Sequence, residues 1–387
     1  MGYMISFLAA LEVPDLNWVG NIVAALYNFV GNYGWTVVLF TVILKVITLP
    51  LDFWQRSSAK KNAIKMQQMQ PMMEKIDKAY GANVKGAQQE KQKLMKKFGY
   101  SMFSSCLPTL VTLVVFIIMF SGLTSYSTHS NVKEYNELVE AYHYNLVVEA
   151  QEEGIVLSDT LKAVIADGSY EKGDWTEKAE LAYEEEIESK LNQLVLSGKK
   201  EDKEKYDRII EATKVPVAEF AKENRESFLW IKNIWRADTW QSVMPSYNEF
   251  TNGGMGTTGI KGADEAEYNV IYDAVTTYAG GYAGGAWNGL LILPALAIAL
   301  SFLSMKLMQG SNPMANDPQS QKTNKMMMLM MPLMMSFFIL LYTAALGVYI
   351  VSNSILSIFT TLLLTPIVNK MIKEKDVQII KQASYRR

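Results

Sequence analysis

The 387-residue chain is 49% hydrophobic and 20% charged, with 37 Lys+Arg against 39 Asp+Glu, two His and one Cys. The lone Cys106 excludes an intramolecular disulfide framework and any multi-cysteine metal site, and His129 and His143 leave little from which to build a zinc or histidine-based catalytic centre. The net charge of −2 hides a split: acidic residues gather between 127 and 288 and basic ones at 54–102 and the C-terminus, so there is no uniform basic coat for nucleic acid.

The first residues, MGYMISFLAALEV, lack a basic leader, and Glu12 and Asp15 interrupt the apolar start, so this stretch is expected to be retained rather than cleaved. Within an N-terminal segment 1–32, residues 16–30 place Trp18, Ile22, Leu26 and Phe29 or Val30 at helical spacing. That pattern predicts an amphipathic helix lying in a membrane interface, with a continuous extension of the first span as the alternative.

Five apolar runs are long enough to cross a hydrocarbon core of about 30 Å, which takes about 20 helical residues. They are 33–53, 104–126, 288–309, 326–345 and 347–368. The expected fold class is therefore an all-α polytopic membrane protein with five transmembrane helices.

Between the first two runs, 54–103 reads as two helices joined by a turn at Gly81-Ala82-Asn83, with Met66, Met69, Met73 and Ile76 spaced to pack on Leu94, Met95 and Phe98. Pro71 is expected to bend or interrupt the first of these helices. Residues 54–102 hold 11 basic and three acidic side chains, whereas 127–288 carries 16 basic and 30 acidic ones. The connection 310–325 and the tail 369–387 are also basic. With five spans, an external N-terminus puts every basic segment in the cytoplasm and makes 127–287 an extracytoplasmic, mainly helical insertion. Its aromatic segment 227–240, with Trp230, Trp235 and Trp240, has the composition of an interfacial anchor, and the glycine-rich stretch Gly280–Gly289 reads as a flexible entry to the third span.

Lys45 lies inside the first run, about 18 Å by helical rise from Tyr33. An ammonium near mid-membrane costs roughly 2.5–3.5 kcal/mol, so it should face protein, water or a partner; snorkelling to the cytoplasmic headgroups is the alternative. Thr41 and Thr48 flank it at i−4 and i+3, and no carboxylate occurs in the other four spans. Those spans offer hydroxyls and amides instead: Thr109 and Thr112, Ser301 and Ser304, then Tyr349, Ser352, Asn353 and Ser357. The expectation is a wet cavity around an unpaired cation. An ion-coupled transporter would need intramembrane acids, and a pump would need a nucleotide motif that is missing.

NYGWTVVLFTVILKVITLPL (32–51), MQQMQPMMEKI (66–76), CLPTLVTLVVFIIMF (106–120), FLWIKNI (228–234), ILPALAIALSFLSMKLM (292–308) and VYIVSNSILSI (348–358) together resemble the YidC family of membrane protein insertases. The lack of a large domain before the first core span resembles the Gram-positive form. The resemblance implies five helices around a hydrophilic groove open to cytoplasm and lipid, with Lys45, five residues before Pro50, standing where the family normally has Arg. Thr112 stands where the family often has glutamine, and Tyr349, followed by Asn353, matches its groove aromatic; with Thr41, Lys45, Thr48, Thr109 and Ser352 from the polar rows above, these are the expected groove lining. The implied function is a membrane protein insertase and chaperone of the bacterial cell membrane, not an enzyme, with no cofactor and no metal. Nascent membrane proteins would be its clients, with membrane lipids, the ribosome, signal recognition components and the general secretion channel as candidate partners and no specific nucleic acid. The family's lipoprotein-type cysteine is absent, and loop 127–226 is far longer than the usual connection. A channel or solute transporter is the alternative, and a sensor with an acidic external domain a third.

Overall fold

The computed structural model describes residues 11–81, 83–100, 102–166, 177–254, 259–278, 280–283, 285–309, 330, 333–334 and 337–372, without the side chains of 102–109, 112, 177–178, 305 and 308–309. Every regular element among the described residues is helical, with two isolated β-bridges besides, and the chain is an all-α polytopic membrane protein. Among the described residues three helices are long and apolar enough to cross a membrane: Tyr33–Tyr80, the Leu113–Glu152 part of a longer helix, and Ala344–Met371. Ile292–Ser304 and Trp18–Val30 are shorter apolar helices. Of the expected fourth span, 326–345, residues 326–329, 331–332 and 335–336 lie outside the described residues, as do the connection 310–325 and most of the tail.

The chain forms two compact units. One comprises Val37–Ser121, Leu293–Phe337 and Val348–Arg387. Most of α2 (Tyr33–Tyr80) lies here, and at 1.5 Å per residue its 48 residues reach about 72 Å, more than twice the hydrocarbon thickness. The interruption expected at Pro71 is absent, and the helix also runs through Pro50. Pro71 and Gln67, whose carbonyl loses its bond, are both exposed, so solvent replaces the missing partner. Gly81, at φ 48°, ends the helix in the left-handed region, and α3 (Val84–Lys97) returns with Asn83 capping its N-terminus through Gly86 N–H. Met69 and Phe98 are buried, with Met66, Met73, Ile76, Leu94 and Met95 half-buried. Lys91 pairs with Asp77 at 2.7 Å, and Lys65 donates to Gly99 O at 2.7 Å. On α4 (Met102–Glu152), Leu110, Leu113, Val114, Ile117 and Ile118 are exposed at i, i+3, i+4, i+7 and i+8, the stripe that a lipid-facing helix requires.

The other unit comprises Met1–Thr36, Gly122–Ile292 and Phe338–Gly347. Here α1 (Trp18–Val30) starts at Asn17, which accepts from Gly20 N–H, and stops at Gly31, φ 74°, so it is separate from α2. Val19 and Val23 are buried, while Trp18, Ile22 and Phe29 on the same helix remain exposed. Gly122 permits the close approach to α4, because a Cβ there would lie 2.2 Å from Val19 Cγ1.

Beyond the apolar stretch, α4 continues as the centre of a helical body. Val132, Leu138, Leu146 and Val147 join Ile209 of α8 (Lys200–Asn224, after α5, Asp159–Val164, α6, Glu177–Ala182, and α7, Ser189–Leu196) in its core. After the short α9 (Tyr247–Asn252), α10 (Glu265–Thr277) packs on α8.

Fully buried His143 on α4 stacks on Tyr183, which opens a π-helical segment after α6, and its Nε2 lies 2.6 Å from Glu267 Oε1 of α10. Glu180 of α6 approaches Nδ1 at 3.3 Å. Burial alone would lower the pKa of this imidazole, but Glu267 and Glu180 outweigh it and hold the pKa at about 9, above the ordinary 6.5.

The segment 227–240 is a fixed loop. Asn288 Oδ1 accepts from Asn233 N–H at 2.7 Å, and Asn288 Nδ2 donates to the carbonyls of Asn233 and Ala237, both at 2.9 Å. Asp238 accepts from Trp230 Nε1 and from Leu290 N–H. The residues from Gly285 onward are therefore tied down rather than loose, which corrects the flexible entry expected at 280–289 for that end of the stretch. Trp240 is 74% exposed, but Trp235 is buried, its ring tilted against that of Tyr33 with centroids 4.7 Å apart, and donates to Glu134 at 2.6 Å. Trp235 is thus a core residue rather than an interfacial anchor, since the half-buried carboxylate of Glu134 satisfies its indole N–H.

The His143 clamp makes the helical body sensitive to alkali. Because the folded pKa is raised, its contribution, on the order of 3 kcal/mol, is fully present below about pH 6.5 and is lost as pH climbs through about 9. Thermal unfolding of the full chain between pH 6 and 10, compared with His143→Gln, should show this loss in the native protein and a much flatter profile in the variant.

Candidate functional site

Helix geometry places Thr41, Lys45, Thr48, Asp52 and Arg56 of α2 within an arc of roughly 80°, since steps of four, three, four and four residues each nearly close whole turns. Val46 and Ile47, about 67% exposed, lie on the opposite side, where lipid is the natural solvent. A second polar row runs along α12 (Ala344–Met371) through Tyr349, Asn353, Ser357, Thr361 and Thr365, each four residues after the last.

These two rows meet. Lys45 Nζ donates to Ser357 Oγ at 3.1 Å, Arg56 Nη2 to Thr361 Oγ1 at 2.7 Å, and Arg56 Nη1 to Thr365 Oγ1 at 3.5 Å. Between the two cations, Asp52 Oδ2 lies 2.8 Å from Lys45 Nζ, with side-chain exposures of 12% and 13%.

The expectation of an unpaired cation is corrected by this ion pair. Its acid comes from the first span itself, seven residues along the same helix. The contact is Coulombic rather than an aligned hydrogen bond, because Asp52 Oδ2 has no hydrogen-bond partner. Two turns of helix, about 10 Å, separate the two α-carbons, so the lysine stem must extend toward the C-terminal end of the span. It ends on a protein carboxylate, where simple snorkelling would end in headgroups. Asp52 and Arg56 are the functional candidates that sequence reasoning missed; their spacing of seven and 11 from Lys45 was the available signal.

The hydroxyls are less free than the sequence suggests. Thr41 Oγ1 donates to Val37 O at 2.6 Å and Thr48 Oγ1 to Lys45 O at 3.3 Å, so each satisfies its own proton on α2 and offers only lone pairs to a neighbour. Tyr349 is buried with its ring centroid 6.1 Å from that of Phe116 on α4. Ser352 and Asn353 are half-buried, as are Ser301 and Ser304 of α11 (Ile292–Gln309). The side chains of Thr109 and Thr112 lie outside the described residues. Among the described residues no cluster of three His, Cys, Asp or Glu is arranged to hold a metal.

Chemically, the seam has two cations and one carboxylate among hydroxyls, next to a helix face suited to lipid. It offers positive charge and exchangeable hydrogen bonds, with no nucleophile activated by a base among its described residues.

The family profile described as "60Kd inner membrane protein" matches residues 25–163 and 209–373, most of the chain, and leaves 164–208 of the acidic stretch unmatched. The chain is 30% identical over 113 residues to the membrane protein insertase YidC of Caldanaerobacter subterraneus subsp. tengcongensis, covering 29% of this chain and 53% of the relative. It is 28% identical over 120 residues to YidC of Leptospira interrogans serogroup Icterohaemorrhagiae serovar Lai, covering 31% and 18%. To YidC of Helicobacter pylori it is 31% identical over 98 residues, covering 25% and 17%. The matched stretch thus spans about half the length of the first relative and under a fifth of the other two.

If Lys45 and Asp52 form one electrostatic unit, their substitutions will not add. Asp52→Leu alone, which leaves Lys45 and Arg56 without a counter-ion, should lower stability in detergent by about 3 kcal/mol, while adding Lys45→Met removes one of the two stranded cations and should recover part of the loss. Additive losses in thermal unfolding would contradict the pairing.

Proposed function

Because the chain belongs to the YidC-type 60Kd inner membrane protein family, we propose that it is a membrane protein insertase and chaperone, passing polar segments of nascent membrane proteins along the α2–α12 seam. The observation that carries this reading is Lys45, a cation held within an apolar span among hydroxyls of two helices, beside a lipid-facing surface. In this reading the protein has five spans, including 326–345, with the N-terminus outside, the basic hairpin and tail in the cytoplasm, and the acidic helical body outside.

A client's polar tail enters the seam from the cytoplasm. Ser357, Ser352, Asn353 and the lone pairs of Thr48 replace part of its water, lowering the desolvation cost that otherwise forbids polar chain in hydrocarbon. Lys45 attracts acidic groups, and the charge nearby concentrates them before contact. The hydrophobic segment then moves sideways into lipid, driven by burial of apolar surface at about 25 cal/mol per Å². No nucleotide is consumed. Met72, exposed on the hairpin, offers an adaptable apolar contact, and the hairpin's basic outer face suits the ribosome, signal recognition components or the general secretion channel.

Sign of charge, rather than volume, is what this mechanism requires at position 45. In cells depleted of the native protein, Lys45→Arg should restore insertion of a short-tailed single-span client, whereas Lys45→Glu should reduce it at least about tenfold. Photocrosslinkers at Thr112 and Tyr349 should capture the stalled client in the Arg variant alone. Normal insertion with Lys45→Glu contradicts the role given to the cation.

A further inference from the structure

We infer that Asp52 is a specificity-determining residue of this seam: an exchangeable internal counter-ion that rests on Lys45 when no client is bound and moves to Arg56 when a client carboxylate takes its place. The inference rests on the proposed insertase reading and specifies how the site selects and releases acidic segments.

Three observations converge on Asp52. It touches Lys45 at 2.8 Å, yet its Oδ2 has no aligned hydrogen bond, so the contact is close without being geometrically locked. One helical turn further, Arg56 interacts electrostatically with the same carboxylate. Arg56 spends Nη1 and Nη2 on Thr365 and Thr361 while its Nε, buried, has no acceptor. An acid four residues before an arginine on one helix face is the favourable order for pairing. Asp52 therefore has two cationic partners at i−7 and i+4, one occupied and one with an unused donor.

The consequence is a balance of charge. Two cations and one carboxylate leave the seam one anion short, and an incoming carboxylate supplies it: Lys45 pairs with the client, Asp52 with Arg56, and no buried charge is left alone. A neutral tail cannot drive this exchange and passes with the internal pair intact. Asp52 also limits how firmly the client is held, because it competes for Lys45 at every moment. A carboxylate bound to a bare, desolvated ammonium would be trapped, which defeats transfer.

The test uses the full-length protein in liposomes and two versions of one single-span client, identical except for Asp or Asn in the polar tail. The readout is the ratio of acidic to neutral client crosslinked at the seam, which cancels losses common to both through a weakened fold. Asp52→Asn removes the competitor and should raise the ratio about tenfold, the factor of one pairing energy of 1.4 kcal/mol, and slow release of the acidic client. Arg56→Gln removes the alternative resting place and should lower the ratio, with Arg56→Lys restoring it. Changes of the same sign in Asp52→Asn and Arg56→Gln, or an unchanged ratio in either, overturn the relay. Failure of the native protein to capture either client would instead overturn the insertase reading itself.

Discussion

A charge removed from water must find its opposite nearby, and in hydrocarbon nothing but the protein can provide it. The Lys45–Asp52 contact is where this constraint acts on the membrane-spanning part of the molecule. It fixes which face of α2 turns from lipid and is joined by hydroxyl partners on α12, and Arg56 falls in the same row because it lies one helical turn beyond Asp52. Lipid-facing Val46 and Ile47 on α2, and Ile355, Phe359 and Leu362 on α12, are the complement of that arrangement.

The same constraint governs the helical body of the other unit, in a different solvent. His143 has lost all contact with water, and its protonated ring persists because carboxylates from two other helices converge on it. Arg225 and Glu134 repeat the solution at 3.5 Å, with Trp235 donating to the same acid. An acidic surface need not be a binding surface when some of its carboxylates are spent in this way on the interior.

Spans such as 33–53 were readable because the hydrocarbon thickness sets a length that few soluble helices meet, so such an apolar run stands out without any tertiary knowledge. The turn at Gly81 that ends α2 was readable, but the continuity of the first span with the first hairpin helix was not. Hydropathy falls after Phe53, but Lys, Gln, Met and Ala are good helix formers, and α2 continues to Tyr80 through two prolines. Lys45 was conspicuous as a charge in an apolar run, whereas Asp52, at the edge of that run, passed for a boundary residue facing headgroups. Helical phase, applied seven residues on, would have joined them. The fate of Trp235 had no local signal at all: its partner Glu134 is 101 positions away, and composition alone cannot separate an aromatic anchor from an aromatic core.

The central claim, that Lys45 and Asp52 meet within the first span, can be tested by solid-state NMR of the protein in lipid bilayers, reading the dipolar coupling between Lys45 Nζ and the Asp52 carboxyl carbon. A coupling strong enough for direct contact, 2.8 Å between nitrogen and carboxyl oxygen, is the predicted result. A coupling too weak for contact between the two side chains would contradict the account.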